Sequence, residues 1–368
     1  MTEEYAARKR ILAVYDHEIP DRVPFFAQGL KPGFMANLGR LMDEQMDDWC
    51  ERTGLEPIFS PELDGAAFLG QDSVYVHVPG PGAHHTFYEP DGQEITIGLN
   101  GQLARQETSF YTGGYFSSLD KIEAVFNQIK WPAKEDYRSF AEFVMRVQKN
   151  IMPMPCVGGI TDTTWQAMGF SQFALALHKR SPVVLKLFEL YGNMVYERTR
   201  LTLEAFEDVG GSPGILNVLD DIAFKGRAMI RPSLWRELVA PYYEPVTALI
   251  HEYHVHAQLH SDGDMTEMIP HLIDVGFEGL QGWEIGAGMD PVYCKQTWPQ
   301  FVINGFLDQS QVLPFDTEEQ VREHVRTIAA ILKPGGNWIA GPSTVWTDNV
   351  PLQNAFACID EVHQVGQY

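Results

Sequence analysis

The residues of this chain best suited to chemistry lie at 255–264, V-H-A-Q-L-H-S-D-G-D. The stretch reads as a buried strand that stops at His260, a short turn carrying Asp262, Gly263 and Asp264, and the start of a helix. A turn of this kind brings side chains two residues apart to the same mouth, so His260 and Asp262 can converge on one atom. The plainer role for Asp262 or Asp264 is to cap the following helix at its positive N-terminal end.

Two chemistries are open to these residue types. As ligands, His260 and Asp262 with Glu284 would hold a metal ion and leave a position free for a substrate. H-x-D is a weak metal signature on its own, and the chain has neither H-E-x-x-H nor a cluster of cysteines. As acid and base, His260 with Asp220 or Asp221 would donate and accept a proton without a metal. No G-x-G-x-x-G follows a strand and no phosphate-binding G-x-x-x-x-G-K motif is present, so no nucleotide cofactor is expected. Ser343 lies outside a G-x-S-x-G context, which argues against a serine hydrolase.

These residues need a scaffold. After helices at 3–15 and 35–52, amphipathic helices alternate with short apolar strands from Trp131 onward. Strands are expected at 153–159, 215–219, the stretch ending at His260, 278–283, 301–304 and 338–340. Helices are expected at 135–150, 165–177, 182–209, 232–253, 265–275, 291–297, 318–332 and 351–365. Strands at 23–26 and 57–60 bring the count to eight, the number that closes into an α/β fold of the (β/α)8 TIM barrel type, with its site at the C-terminal ends of the strands. Residues 73–116 change to a period of two, broken by P-G-P-G, P-D-G and N-G turns, and read as an antiparallel β insertion after the second strand. Its aromatic residues, Tyr75, Phe87 and Phe110 among them, could roof a pocket or simply pack. The whole chain, 1–368, reads as one domain.

Charge narrows the partners. Against 27 Lys and Arg stand 49 Asp and Glu, a formal charge of −22 that opposes approach to nucleic acid or an anionic membrane. No apolar run reaches the length of a membrane span, and the first ten residues lack the apolar core of a signal peptide, so a cytoplasmic location is expected. Cys50, Cys156, Cys294 and Cys358 are far apart in sequence and read as reduced packing thiols.

Just past the expected strands stand Gln28; Glu62 and Asp64; Thr161 and Asp162; Asp220 and Asp221; His260 and Asp262; Glu284; Asn304 and Asp308; and Ser343, Thr344 and Trp346. Carboxylates dominate. Crowded into one mouth they raise one another's pKa unless a metal or an arginine compensates. Gln28, Asp162, Thr344, Trp165, Phe170, Trp283 and Trp346 are the expected substrate contacts, although the aromatic ones suit the core equally well.

A set of motifs then falls together: D-R-V-P at 21–24, L-D-D-I-A-F at 219–224, P-S-L-W-R-E-L-V-A-P at 232–241, H-S-D-G-D at 260–264, I-N-G-F-L-D at 303–308 and D-N-V-P-L-Q-N at 348–354. In order and spacing they resemble the uroporphyrinogen decarboxylase superfamily nearly end to end, which implies a (β/α)8 barrel. True decarboxylases of that superfamily carry Arg-Gln-Ala-Gly-Arg after the first strand. Here Ala27-Gln28-Gly29-Leu30-Lys31 stands instead, without the arginines that hold an acidic porphyrinogen. The other branch comprises zinc methyltransferases that move methyl groups between corrinoid proteins and thiols or methylated substrates, with a His-x-Cys motif and a second Cys before the last helix. His260 matches the His, Asp262 stands at the first Cys position and Thr344 stands near the second. Without thiolates the site loses its soft ligands. What remains could bind a harder cation, or zinc through His260, Asp262 and Glu284.

The resemblance therefore implies a methyltransferase that demethylates a small methoxylated or N-methylated compound and passes the methyl group to a corrinoid on a partner protein. The catalytic residues would be His260, Asp262, Asp220 and Asp221, and the cofactor a divalent metal, zinc first. A cofactor-free decarboxylase of a small acid and a non-catalytic ligand-binding barrel are the alternatives. A homodimer is compatible with either enzyme.

Overall fold

Apolar runs such as I-L-N-V-L at Ile215–Leu219 are buried on both faces, which suits a parallel strand covered by helices. The computed structural model describes residues 6–80, 85–88, 92, 94–98, 101–105 and 110–368. Seven such strands form one parallel sheet, in the order Ser73–His77, Met152–Gly158, Ile215–Leu219, His256–His260, Gly279–Trp283, Val302–Leu307 and Trp338–Pro342. Spatial order follows chain order, as it does when each helix returns the chain to the next strand of a curling sheet. The fold is mixed α/β and TIM-like.

Residues 24–28 run between the two edges of this sheet. Phe26 N–H donates to Ala340 O at 2.8 Å and Ala340 N–H to Pro24 O at 2.9 Å, while Asp72 N–H donates to Phe25 O at 2.8 Å on the other side. Parallel bridges join Phe25 to Ala340 and Phe26 to Ser73.

Helix Ala6–Tyr15 fills the lower end of the curl, where Ile11, Val14 and Tyr15 pack with Met152, Ile215, Val302 and Ile339. Above this apolar plug lies a polar layer: Tyr15 Oη donates to Gln258 Oε1 at 2.5 Å, and Gln258 Nε2 donates to Asn217 Oδ1 at 2.9 Å and Tyr75 Oη at 3.1 Å. Buried amides need such partners, and the network fixes the middle of the sheet beneath the mouth. A four-stranded antiparallel sheet, His85–Tyr88, Glu94–Ile97, Gln102–Arg105 and Phe110–Gly114, follows the first parallel strand. The side chains of Phe87 and Phe110 lie outside the described residues. Among the described residues no helix is long and apolar enough to cross a membrane. All four cysteines are free.

Five expectations need correction. The helix expected at 232–253 is two, Pro232–Leu238 and Ala240–Glu252, which meet at Val239. Residues 57–60 are not a strand: Asp64 takes the N–H groups of Ile58 at 2.7 Å and Ser60 at 3.1 Å, so these donors cap the helix Pro61–Leu69 instead of joining a ladder. Ser73–His77 belongs to the parallel sheet, not to the insertion, and pairs with Met152–Cys156. The helix expected at 165–177 is two, Thr161–Met168 and Phe170–His178, because Gly169 takes a φ of 80° between them. The strand expected at 301–304 runs on to Leu307, which leaves Asn304 fully buried in the middle layer with Nδ2 donating to Gln258 Oε1 at 3.3 Å, not at the mouth.

Candidate functional site

Two adjacent strands, Ile215–Leu219 and His256–His260, end side by side and deliver the central cluster. Asp221, His260 and Asp262 each offer a ligand atom, and these atoms all lie within 4.8 Å of one another. His260 Nε2 is 3.6 Å from Asp221 Oδ1 and 4.0 Å from Asp262 Oδ1. Asp262 N–H donates to Asp221 Oδ1 at 2.8 Å, which ties the turn after one strand to the end of the other.

The ring of His260 is held from behind. Its Nδ1 lies 3.2 Å from Gln281 O, and its Nε2 faces the carboxylates. Gln28 lies against the ring, its Nε2 3.2 Å from Nδ1, and donates to Gln281 Oε1 at 3.0 Å and Ser343 O at 3.2 Å. Gly282, at a φ of 113°, forms the bulge that lets the neighbouring strand approach: a Cβ there would stand 2.3 Å from Ser261 O.

A ring nitrogen facing two carboxylates calls for a proton or a cation between them. Burial first, then the charges of Asp221 and Glu284, push the Asp262 carboxyl up to about 6, against the opposing pull of His260. Asp262 Oδ1 is buried and accepts no hydrogen bond. One imidazole nitrogen and two carboxylate oxygens, one of them without a partner, make a donor set that fits a divalent cation.

Asp220 does something else. Its side chain is 0% exposed. Oδ1 accepts from Asp162 N–H at 2.6 Å, and Oδ2 from Thr161 N–H at 3.1 Å and Tyr243 Oη at 2.7 Å. It therefore caps the helix Thr161–Met168 at its positive end and does not face the mouth. Burial outweighs these bonds and raises its carboxyl to about 6. Asp162, at the start of that helix, is raised to about 7 by burial, by Asp221 and by Asp220, although both its oxygens accept from Gln166 Nε2 at 2.7 Å. Tyr243, which completes this arrangement, carries no signal in the sequence.

The remaining expected residues are dispersed. Glu284 lies outside the cluster and accepts from Ser310 Oγ at 3.0 Å. Asp264 accepts from Thr266 N–H at 3.0 Å within the turn before the helix Ile269–Val275 and does not cap that helix, whose N-cap is Met268. Trp165, half-buried, and Phe170, exposed, form a rim with Phe224, with ring centres 6.2 Å and 5.5 Å apart. Trp283 and Trp346 are core: the first donates to Leu280 O at 2.6 Å, and the second stacks between Phe25 and Phe34. Thr344 is half-buried.

The C-terminal ends of this curled parallel sheet thus carry a polar mouth of the barrel type, with a histidine and two carboxylates close enough to share a cation. Residues 170–365, more than half of the chain, match the family described as uroporphyrinogen decarboxylase (URO-D), and the chain belongs to that family. No curated relative is matched by sequence. Among solved structures, a methyltransferase from Methanosarcina mazei is similar in fold, with a TM-score of 0.63 at 16% identity over 98% of this chain and 99% of that one. A sugar phosphate isomerase/epimerase from Parabacteroides distasonis reaches a TM-score of only 0.37, at 8% identity over 92% of each chain.

Proposed function

We propose that the chain is a single-domain, closed (β/α)8 barrel, with residues 23–28 as its first strand, that acts as a metal-dependent methyltransferase. Its substrate is a small methoxylated or N-methylated compound, and the acceptor is a corrinoid carried by a partner protein. The observation that carries this reading is the convergence of Asp221, His260 and Asp262 on one point, with Asp262 Oδ1 buried and without a hydrogen bond. Family membership and the likeness to a methyltransferase support it.

In this reading Asp221, His260 and Asp262 hold the cation, zinc first, and Glu284 stands outside the ligand set. A divalent cation bound there supplies Lewis acidity to the heteroatom from which the methyl group leaves. The chain's own residues do the rest. The Gln281 carbonyl and Gln28 hold the ring of His260, and Asp220 anchors the helix that presents Asp162. Asp162, with its carboxyl held at about 7, keeps a proton at hand near neutral pH. The raised Asp162 carboxyl also fits a second reading, a carboxy-lyase in which Asp162 protonates the product carbanion without a metal.

Metal content separates the two. The parent should bind one equivalent of zinc, and His260→Ala and Asp221→Asn should bind it at least about tenfold more weakly. Methyl transfer from an aryl methyl ether to reduced cobalamin should fall with the metal. Full activity in metal-free protein would overturn the methyltransferase reading and leave the lyase.

A further inference from the structure

Beside residues 28–31 and the strand Ser73–His77 lies a cavity of about 500 Å³. It adjoins the proposed metal centre, because Gln28 and Tyr75 both line it and both contact His260: Gln28 Nε2 stands 3.2 Å from Nδ1, and the Tyr75 ring lies edge-on with its centre 6.5 Å away. Leu30, Leu219 and Val345 give it apolar walls. Trp165, Phe170, Trp283 and Trp346 do not line it, whereas Tyr75, which the sequence offered as part of a pocket roof, does.

Its one imidazole is His77, at the end of the strand Ser73–His77. Nδ1 of His77 is 3.3 Å from the thiol of Cys156, which is 0% exposed on the adjacent strand. His77 is exposed toward the cavity, with Nδ1 against the thiol and no hydrogen bond from Nε2 to any described residue. Burial and the nearby Arg198 guanidinium hold the His77 pKa below its ordinary value, so the imidazole is neutral at physiological pH. The other charged residues on the wall are Lys31 and Glu62, one of each sign. The cavity accordingly carries no net charge, unlike the carboxylates across the mouth.

We propose that His77 is a specificity-determining residue: this cavity holds the apolar body of a neutral methyl ether, and His77 Nε2 hydrogen-bonds an oxygen on it. The inference rests on the methyltransferase reading for the ether and on the cavity for everything else. It selects the methoxylated class over N-methylated ammonium compounds and places recognition on the strands that precede the acidic ones.

Guaiacol and tetramethylammonium are suitable probes, titrated calorimetrically into the full-length protein as isolated. Guaiacol should bind and the ammonium should not. His77→Phe, which keeps the bulk of the ring and removes its nitrogens, should weaken guaiacol by about tenfold or more, with His77→Gln recovering part of the loss. Val345→Trp should abolish binding by filling the cavity. Thermal unfolding of each variant controls for folding. Guaiacol binding that survives His77→Phe or Val345→Trp, or that is absent from the parent, would overturn the proposal, as would preference for the ammonium. Absence of methyl transfer with this binding pattern intact would overturn the methyltransferase reading alone.

Discussion

Asp220→Asn removes a carboxylate from a fully buried position whose two oxygens accept three hydrogen bonds, from Thr161, Asp162 and Tyr243. Burial holds this carboxyl at about 6 in place of the ordinary 3.8. At about 1.4 kcal/mol for each tenfold change in proton affinity, ionising it inside the protein costs about 3 kcal/mol. Because the folded-state pKa is raised, the stability it contributes is fully present below 3.8 and is lost as pH rises through about 6. Asparagine does not titrate, but its amide NH2 must face at least one of the three donors, a mispairing that costs about 1–3 kcal/mol at every pH.

The variant should therefore trail the parent most in acid. Linkage puts the narrowing of the gap at about 2 kcal/mol between about pH 4.5 and about pH 7.5, with the remainder falling below that range. Urea unfolding of both proteins in the presence of a chelator, at several pH values, measures the gap directly. A difference that stays constant or widens toward neutrality would refute the reasoning. It would mean that the three hydrogen bonds outweigh burial and keep Asp220 ionised throughout.

Zinc binding should weaken as pH falls through about 6, since the Asp262 carboxyl, held at about 6 by burial and by Asp221, must release its proton to become a ligand. Calorimetry in buffers of different ionisation enthalpy counts that proton, and a pH-independent affinity across this range would remove Asp262 from the ligand set. Asp72→Asn should cost about 3 kcal/mol in urea unfolding, because the buried carboxylate takes Arg22 at 2.7 Å, Arg10 at 3.1 Å and the Phe25 N–H at 2.8 Å, and its loss leaves the half-buried Arg22 without a carboxylate while Arg10 keeps Asp21. A much smaller loss would show that the seam between residues 24–28 and the sheet is held by the backbone alone.

Most parallel strands were legible because both their faces are buried and turn residues bound them, as at Ile215–Leu219, where expectation and structure coincide. The strand Ser73–His77 was not, for a reason tied to its position. Its outward face carries Val74, packed in the main core, while its inward face carries Tyr75 and His77, one in the polar layer and one on the cavity. A strand with polar residues facing the barrel interior alternates like a half-exposed antiparallel strand. The local pattern therefore pointed to the insertion next to it. Its true partner, Met152–Cys156, lies some seventy to eighty residues away, beyond any local signal.

The site follows the same division. His260 and Asp262 are close in sequence, so their convergence could be read from the chain, whereas the choice of Asp221 over Glu284 as third member depends on contacts between strands. Asp262 N–H reaches Asp221 Oδ1, and Glu284 turns to Ser310. The neighbouring aspartates were nevertheless separable in principle. Side chains alternate along a strand and its immediate extension. Leu219 packs toward the barrel interior, so Asp221 should share its side and Asp220 should point to the helical layer, where Tyr243 waits. Reading D-D as two catalytic groups ignored that alternation. It places one aspartate beside His260 and makes the other the anchor of the adjoining helix, and it explains why two adjacent carboxylates can sit at one strand end without facing each other across the same pocket.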